Sequence, residues 1–261
     1  KKAQGRLSLG FRGLACHFLS KMNFDAVVIF DREQASVQHE PREWPRLVQP
    51  HRFDEGRQPA AVVGEIEEFV EIAEAQFRST NYPAAASAFG KLVREYPASA
   101  LRLEGAVGEA AARTKLGEWA AVVALLQPSD SAFRQAAPGL ANSKLFTRGL
   151  LLLAEAQLAQ NHFAETEAAL KEVSAELTPE LDWHRRHLLC HAKLGAGRTE
   201  EAEIESAGLL LAAAGTTRSD WLADSVAFRA ALLERLGRRD EAMATLKRNL
   251  NTNAPVARQR G

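Results

Sequence analysis

The densest chemistry in the sequence is the run Trp183, His184, Arg185, Arg186, His187, Leu188, Leu189, Cys190, His191. On a helix, residues three, four and seven apart share a face, so His184, His187 and His191 point the same way. Three imidazoles on one face are a donor set that zinc or another borderline metal accepts. Other features of the run speak against a metal. Arg185 and Arg186 stand beside the imidazoles and repel a cation. No carboxylate is placed to orient them, and three ligands strung along one helix do not close a tetrahedron without help. The expectation is no metal and no cofactor, and instead a polar partner-binding patch whose imidazoles titrate near neutrality. Arg185, Arg186 and Trp183 would also suit a nucleic acid. Nothing continues them into a basic stripe, and Lys plus Arg equals Asp plus Glu at 33 each. That balance leaves no global field to attract nucleic acid or an anionic membrane.

A second charged run, Glu65, Glu67, Glu68, Glu71 and Glu74, is acidic. Carboxylates are favoured at a helix N-terminus and on a solvated face, so the run needs no ligand to explain it. Catalytic signatures are missing: there is no G-x-G-x-x-G, P-loop, G-x-S-x-G or H-E-x-x-H, and no enzyme is expected. The two cysteines, Cys16 and Cys190, are far apart and outside any CxxC pattern. Neither a disulfide framework nor a Cys-rich zinc site follows from them.

The elements that must position these residues are helices. Of 261 residues, 46% are apolar and 25% charged. From about residue 60 onward Ala and Leu crowd the chain and β-branched types thin out, a bias toward helix. No run reaches the roughly 18 apolar residues of a membrane span. Residues 24–30, Phe-Asp-Ala-Val-Val-Ile-Phe, make the one strand-like run, and a lone strand forms no sheet. Pro41, Pro45, Pro50 and Pro59 punctuate the stretch after it, which reads as a linker. Two regions are expected: residues 1–60, a poorly ordered N-terminal segment and linker with at most one strand, and residues 61–261, a helical repeat domain. Residues 1–21 are basic, but Arg12 interrupts their apolar part, so they make no convincing signal peptide.

Short signatures recur along the second region. Aligned on the turns they are Thr80-Asn81-Tyr82, Gly117-Glu118-Trp119, Asn161-His162-Phe163, Gly197-Arg198-Thr199 and Gly237-Arg238-Arg239. Three residues on stand Ala85, Val122, Thr166, Ala202 and Ala242, and twelve before those stand Ala73, Ala110, Ala154, Cys190 and Ala230. Helices approach closely only where side chains are small, so the constant offset places one such site on each helix of an antiparallel hairpin. Four residues past Ala85, Val122, Thr166, Ala202 and Ala242 come Phe89, Leu126, Leu170, Ser206 and Leu246, fillers among which Ser206 breaks rank. Successive units are 37, 44, 36 and 40 residues apart. The extra residues fall in the connections, the longest of which holds the breakers Pro128, Pro138 and Gly139, and the helices are expected to keep their length. Trp119 and Phe163 are expected to wedge between adjacent helices at their turns.

These residues resemble the tetratricopeptide repeat family, whose period is about 34. The likeness is best in the first unit, from Ala73 through Tyr82, Ala85, Phe89 and Pro97, and spans roughly residues 62–255. The first helices depart from it, with Gln76, Arg113, Gln157, Lys193 and Leu233 where the family usually has an aromatic. The resemblance implies an all-α, right-handed superhelical solenoid of about five helix hairpins, whose first helices line a concave groove that takes a peptide or a partner helix. Counted from the small sites, the groove residues are Glu67, Val70, Glu74 and Phe77 in the first unit and Glu104, Val107 and Lys115 in the second. The third gives Arg148, Leu151 and Glu155, the fourth His184, His187 and His191, and the fifth Asp224, Glu234 and Arg235. The family's clamp for C-terminal carboxylates needs Lys, Asn and Arg at such places, whereas Val70 and Glu74 stand there, so a chaperone-tail adaptor is disfavoured. The junction Tyr96-Pro97-Ala98-Ser99 is also similar to repeats of bacterial envelope proteins, including cell-division coordinators and outer-membrane assembly lipoproteins, which implies a periplasmic or cytoplasmic setting.

The function expected from this reading is a non-enzymatic scaffold that binds a protein or peptide, with no nucleic acid and no membrane span. An accessory or regulatory repeat domain of a larger enzyme or envelope machine is the alternative. The start on Lys1 and the stop soon after Pro255, where one repeat would hand over to the next, would suit a piece of a longer array. A metal- or nucleic-acid-binding module centred on residues 184–191 is the third reading.

Overall fold

The structure is a computed structural model that describes residues 60–140, 143–174 and 176–250. The strand expected over residues 24–30 and the linker after it lie outside the described residues. Among these, the chain forms eleven α-helices and no strand. It divides into two compact units, residues 1–140 and 141–261. The first contains α1 (Ala60–Arg78), α2 (Tyr82–Glu95), α3 (Arg102–Lys115), α4 (Trp119–Leu126) and α5 (Ala132–Leu140). The second contains α6 (Lys144–Ala159), α7 (Phe163–Lys171), α8 (Pro179–Gly195), α9 (Thr199–Ala214), α10 (Ser219–Arg235) and α11 (Arg239–Leu250). Within each unit every helix packs on the next in chain order, the arrangement of a helical-repeat solenoid.

In the first unit the small residues do what their spacing implies. Ala73 of α1 and Ala85 of α2, then Ala110 of α3 and Val122 of α4, are all at most 1% exposed. Phe89 of α2 fills the space between hairpins and is itself fully buried. Its ring lies so close to α3 that a Cβ on Gly108 would come within 2.7 Å of it. Gly108 is therefore a slot in α3 cut for that ring. Pro83 in the first turn of α2 costs nothing there, since the missing N–H would be an orphan in any case.

The long connection after α4 is partly helical, which corrects the expectation of a breaker-rich link. α5 begins where Ser131 Oγ accepts a hydrogen bond from the Arg134 N–H at 3.2 Å, an N-cap. It buries Phe133 completely and packs on both α3 and α4. Arg134 Nε donates to the Leu126 carbonyl at 3.2 Å, so α5 also satisfies an end of α4. Nor are the second helices constant in length: α2 has 14 residues and α9 has 16, but α4 has 8 and α7 has 9. For α4 the cause is Pro128, which lacks the N–H to continue a helix, although Gln127 before it still has helical backbone, with φ of −81° and ψ of −42°.

In the second unit α6 and α8 are started by side chains. Ser143 Oγ accepts from the Phe146 N–H at 3.1 Å, and Thr178 Oγ1 faces the Leu181 N–H at 3.4 Å with Pro179 next in line. Cys190 of α8 and Ala202 of α9 are both fully buried, and the Cys190 thiol donates to the Ala202 carbonyl at 3.8 Å. Phe163 at the head of α7 lies against Gly195 at the end of α8, where no side chain would fit. It is a wedge, as its turn position implied. Ser206, out of rank in sequence, is buried because an arginine fills the space instead. Arg229 of α10 donates to Ser206 Oγ at 2.9 Å and to the Glu203 carboxylate at 2.5 Å.

Five turns join the paired helices, and they are the same turn. Thr80, Gly117, Asn161, Gly197 and Gly237 are the described residues with positive φ, between 61° and 80°. In each, the N–H of that residue donates to the carbonyl three back, and the next N–H to the carbonyl five back from itself. This is the Schellman motif. The carbonyls taking the longer bond belong to Gln76, Arg113, Gln157, Lys193 and Leu233. Thr80 holds φ of 63° with a β-branched side chain, a conformation that costs about 1–2 kcal/mol. Thr80→Gly is therefore expected to stabilise the protein by about 1 kcal/mol. A rise in the urea midpoint at unchanged m-value would show it; a fall would mean that the threonine side chain is needed.

Candidate functional site

The first helices of the hairpins carry the residues expected to face a partner, and the structure sorts them by burial. Val70, Phe77, Val107 and Leu151 are each at most 2% exposed. Val70 clusters with Ile66 and Leu92, under Tyr96 and Leu101, and Phe77 meets the Tyr82 ring edge-on at 5.2 Å. These four are core residues, which corrects their assignment to an open groove. The physical reason is simple: an amphipathic helix turns its large apolar side chains toward its packing partners first. Glu74, Glu155, His184 and His187 are also buried, against the expectation of a polar face open to a partner. Glu67, Glu234 and Arg235 are exposed; Glu104, Lys115, Arg148, His191 and Asp224 are half-buried.

Histidines 184, 187 and 191 do share a face of α8, but in a column of stacked rings. Trp183 stacks on Trp221 of α10 with centroids 4.2 Å apart and on His187 at 4.9 Å. His187 lies 4.5 Å from His191, and His191 lies 4.8 Å from Phe228 of α10. Trp183 Nε1–H donates to Ser225 Oγ at 2.9 Å, and the Ser225 hydroxyl donates to the Trp221 carbonyl at 2.6 Å. Arg218 rests over the Trp221 ring at 4.9 Å. Trp221, Ser225 and Phe228 were missed from sequence, although Trp221 and Phe228 are seven apart on one helix and so share a side.

Burial sets the chemistry of this column. It pushes the His184 imidazole down to about 3 and His191 down to about 4. His187 is driven well below its ordinary value by burial and then by the neighbouring His191 and His184. The imidazoles are neutral at pH 7, which corrects the expectation of titration near neutrality. Glu155 Oε2 stands 4.0 Å from His184 Nε2, too far for a hydrogen bond with that ring. Among the described residues no group of three or more His, Cys, Asp or Glu side chains could hold a metal ion.

The arginines next to the histidines are engaged. Asp182 accepts from Arg185 at 2.8 Å and from Arg186 at 2.9 Å. Burial works against the Asp182 carboxylate, but the hydrogen bonds from Arg186 and Arg185 outweigh it and hold its pKa below the usual range. Arg186 crosses Gly208 of α9 to reach Glu205 at 2.7 Å. This pair locks α8 to α9 instead of presenting two charges to a phosphate. Cys190 has its thiol pushed up to about 12 by burial, so it stays protonated and serves as the small packing residue of its hairpin.

Stacked helix hairpins, closed by five identical turns and built on paired small residues, define an all-α helical-repeat protein. A tetratricopeptide repeat model matches residues 69–99, from the middle of α1 through α2 to the junction before α3. No curated protein and no solved structure matches the chain. No helix among the described residues is long and apolar enough to cross a membrane.

Proposed function

We propose that the chain is a non-enzymatic protein-interaction module that holds an extended peptide or a partner helix along the first helices of its hairpins. The observation that carries this reading is the tetratricopeptide repeat over residues 69–99, since repeats of this family generally serve as protein-interaction scaffolds. Its neighbours repeat the same turn and the same small-residue pairing. With Val70, Phe77, Val107 and Leu151 used in the core, selectivity falls to polar residues of the first helices that are exposed or half-buried, Glu67, Glu104, Arg148, Asp224 and Glu234. Charges at a rim set which partners are admitted more than how tightly they bind.

The test is partner capture from an extract of the source cells with the intact chain, beside a variant carrying Glu67→Lys, Glu104→Lys and Glu234→Lys. These side chains are exposed or half-buried, so the fold is expected to survive, which circular dichroism checks. The expected result is loss of a discrete set of partners in the variant. Identical partner lists would remove the assignment to these faces.

A further inference from the structure

Glu74 lies on α1 in a stripe with Glu67, Glu71 and Arg78, spaced four, three and four residues apart and hence on one side of the helix,. Glu67, Glu71 and Arg78 are exposed, but the Glu74 side chain is only 7% exposed. A carboxylate taken out of water is costly unless both its oxygens find donors. Glu74 Oε2 accepts one hydrogen bond, from Arg78 at 3.2 Å, and that guanidinium is itself 56% exposed. Glu74 Oε1 is buried, and no donor among the described residues reaches it.

A buried carboxylate with a purely structural role looks different in the same unit. Glu109 of α3 is 4% exposed, and its Oε1 accepts two hydrogen bonds from Arg113, at 2.9 and 2.8 Å. Arg113 is braced in turn by Glu118 at 2.7 Å. Its charge is met by two short bonds from a guanidinium that a second carboxylate holds in place. At Glu74 there is one long bond, one oxygen with no donor, and a rim of two more acids offset by a single arginine. Such an oxygen is matched by a donor from outside the chain, and a cationic donor also offsets the charge. Arg78 already holds Oε2, so a forked guanidinium would find one oxygen where it is built for two. A compact ammonium suits the remaining oxygen. Glu71 and Arg78, the residues before and after Glu74 on the stripe, are exposed.

We propose that the first hairpin carries a seat for a lysine side chain of a basic partner segment, with the Glu74 carboxylate as anchor and Glu67 and Glu71 drawing in the flanking positive charge. This rests on the interaction reading above and names the chemistry of one partner surface.

The experiment titrates the full-length chain into a fluorescein-labelled peptide of alternating Ala and Lys, followed by anisotropy, with the matching Ala and Glu peptide as control. The wild type is expected to bind the lysine peptide and not the acidic one. Glu74→Gln keeps the shape and removes the charge, and is expected to weaken binding about tenfold or more. Glu67→Gln, at the exposed rim, should weaken it less than about threefold. The melting temperature of Glu74→Gln should equal or exceed that of wild type, because a buried charge is gone. Equal binding by Glu74→Gln and wild type would overturn the proposal in favour of a diffuse acidic surface. So would failure of the wild type to bind, or a marked fall in melting temperature, which would make Glu74 structural. A protein partner whose capture survives Glu74→Gln leaves the general interaction reading standing and removes this seat.

Discussion

Phe89→Ala is expected to lower the stability of the first unit by about 3–5 kcal/mol, the range for removing a buried phenylalanine ring. Phe89 is fully buried and lodges in a slot that α3 opens only at Gly108, where a Cβ would stand 2.7 Å from the ring. The fit leaves nothing nearby to collapse into the space, so the cavity term adds to the lost transfer energy. Gly108→Ala probes the same contact from the other side. It overfills the slot and should cost about 1–3 kcal/mol. If ring and slot are one feature, Phe89→Leu combined with Gly108→Ala costs less than the sum of the two single changes. Urea unfolding of the wild type, Phe89→Ala, Phe89→Leu, Gly108→Ala and the double variant measures this. Additive effects, or a loss below about 1 kcal/mol for Phe89→Ala, would show that the contact does not hold the hairpins together.

The same contact shows why so much of the fold can be read from the chain. A backbone that must turn left-handed selects Gly or a short polar residue, and the five turns stand out at Gly117, Gly197, Gly237, Asn161 and Thr80 for that reason,. Two helices can touch only at small residues, which made the Ala73 and Ala85 pair and its four successors visible as a constant offset. The helix α5 was hidden because Pro138 and Gly139 are breakers by type. Its nucleus lies ahead of them, in the Ser131 cap and in Phe133 packing on α3 and α4. The candidate site was less legible than the fold. Counting along a helix gives the face a residue occupies but not what covers that face. Val70 and Phe77 were thus assigned to a groove they do not line, and His184 and His187 to an open face although they are buried. The α10 rings that close the ring column, Trp221 against Trp183 and Phe228 against His187 and His191, come from a helix further along the chain.

Those histidines make acid the condition most damaging to the second unit. Folded, His184 has its pKa near 3 and His191 near 4, while an unfolded imidazole sits near 6.5. Below about pH 6.5 the unfolded chain therefore binds protons that the folded one refuses, and stability must fall with pH. The contribution is fully present above the unfolded value and drains away on acidification, down to the folded values. For His184 alone the loss between about pH 7 and pH 5 is about 2 kcal/mol. His187 and His191 move in the same direction, so the total is several kcal/mol, a large part of the ~5–15 kcal/mol that holds a domain folded. Protonation is opposed by the ring column, where a charge on His187 would face His191 at 4.5 Å. Glu155, 4.0 Å from His184, and Asp182, already occupied by Arg185 and Arg186, return only part of the cost. Urea unfolding of the full chain followed by tryptophan fluorescence is expected to show a midpoint that drops steeply between about pH 6.5 and pH 4.5. His184→Gln, which cannot titrate, should flatten that slope while remaining folded at neutral pH. A midpoint indifferent to pH across this window would mean that the imidazoles reach water in the folded state, and that the α8 face is open to a partner after all.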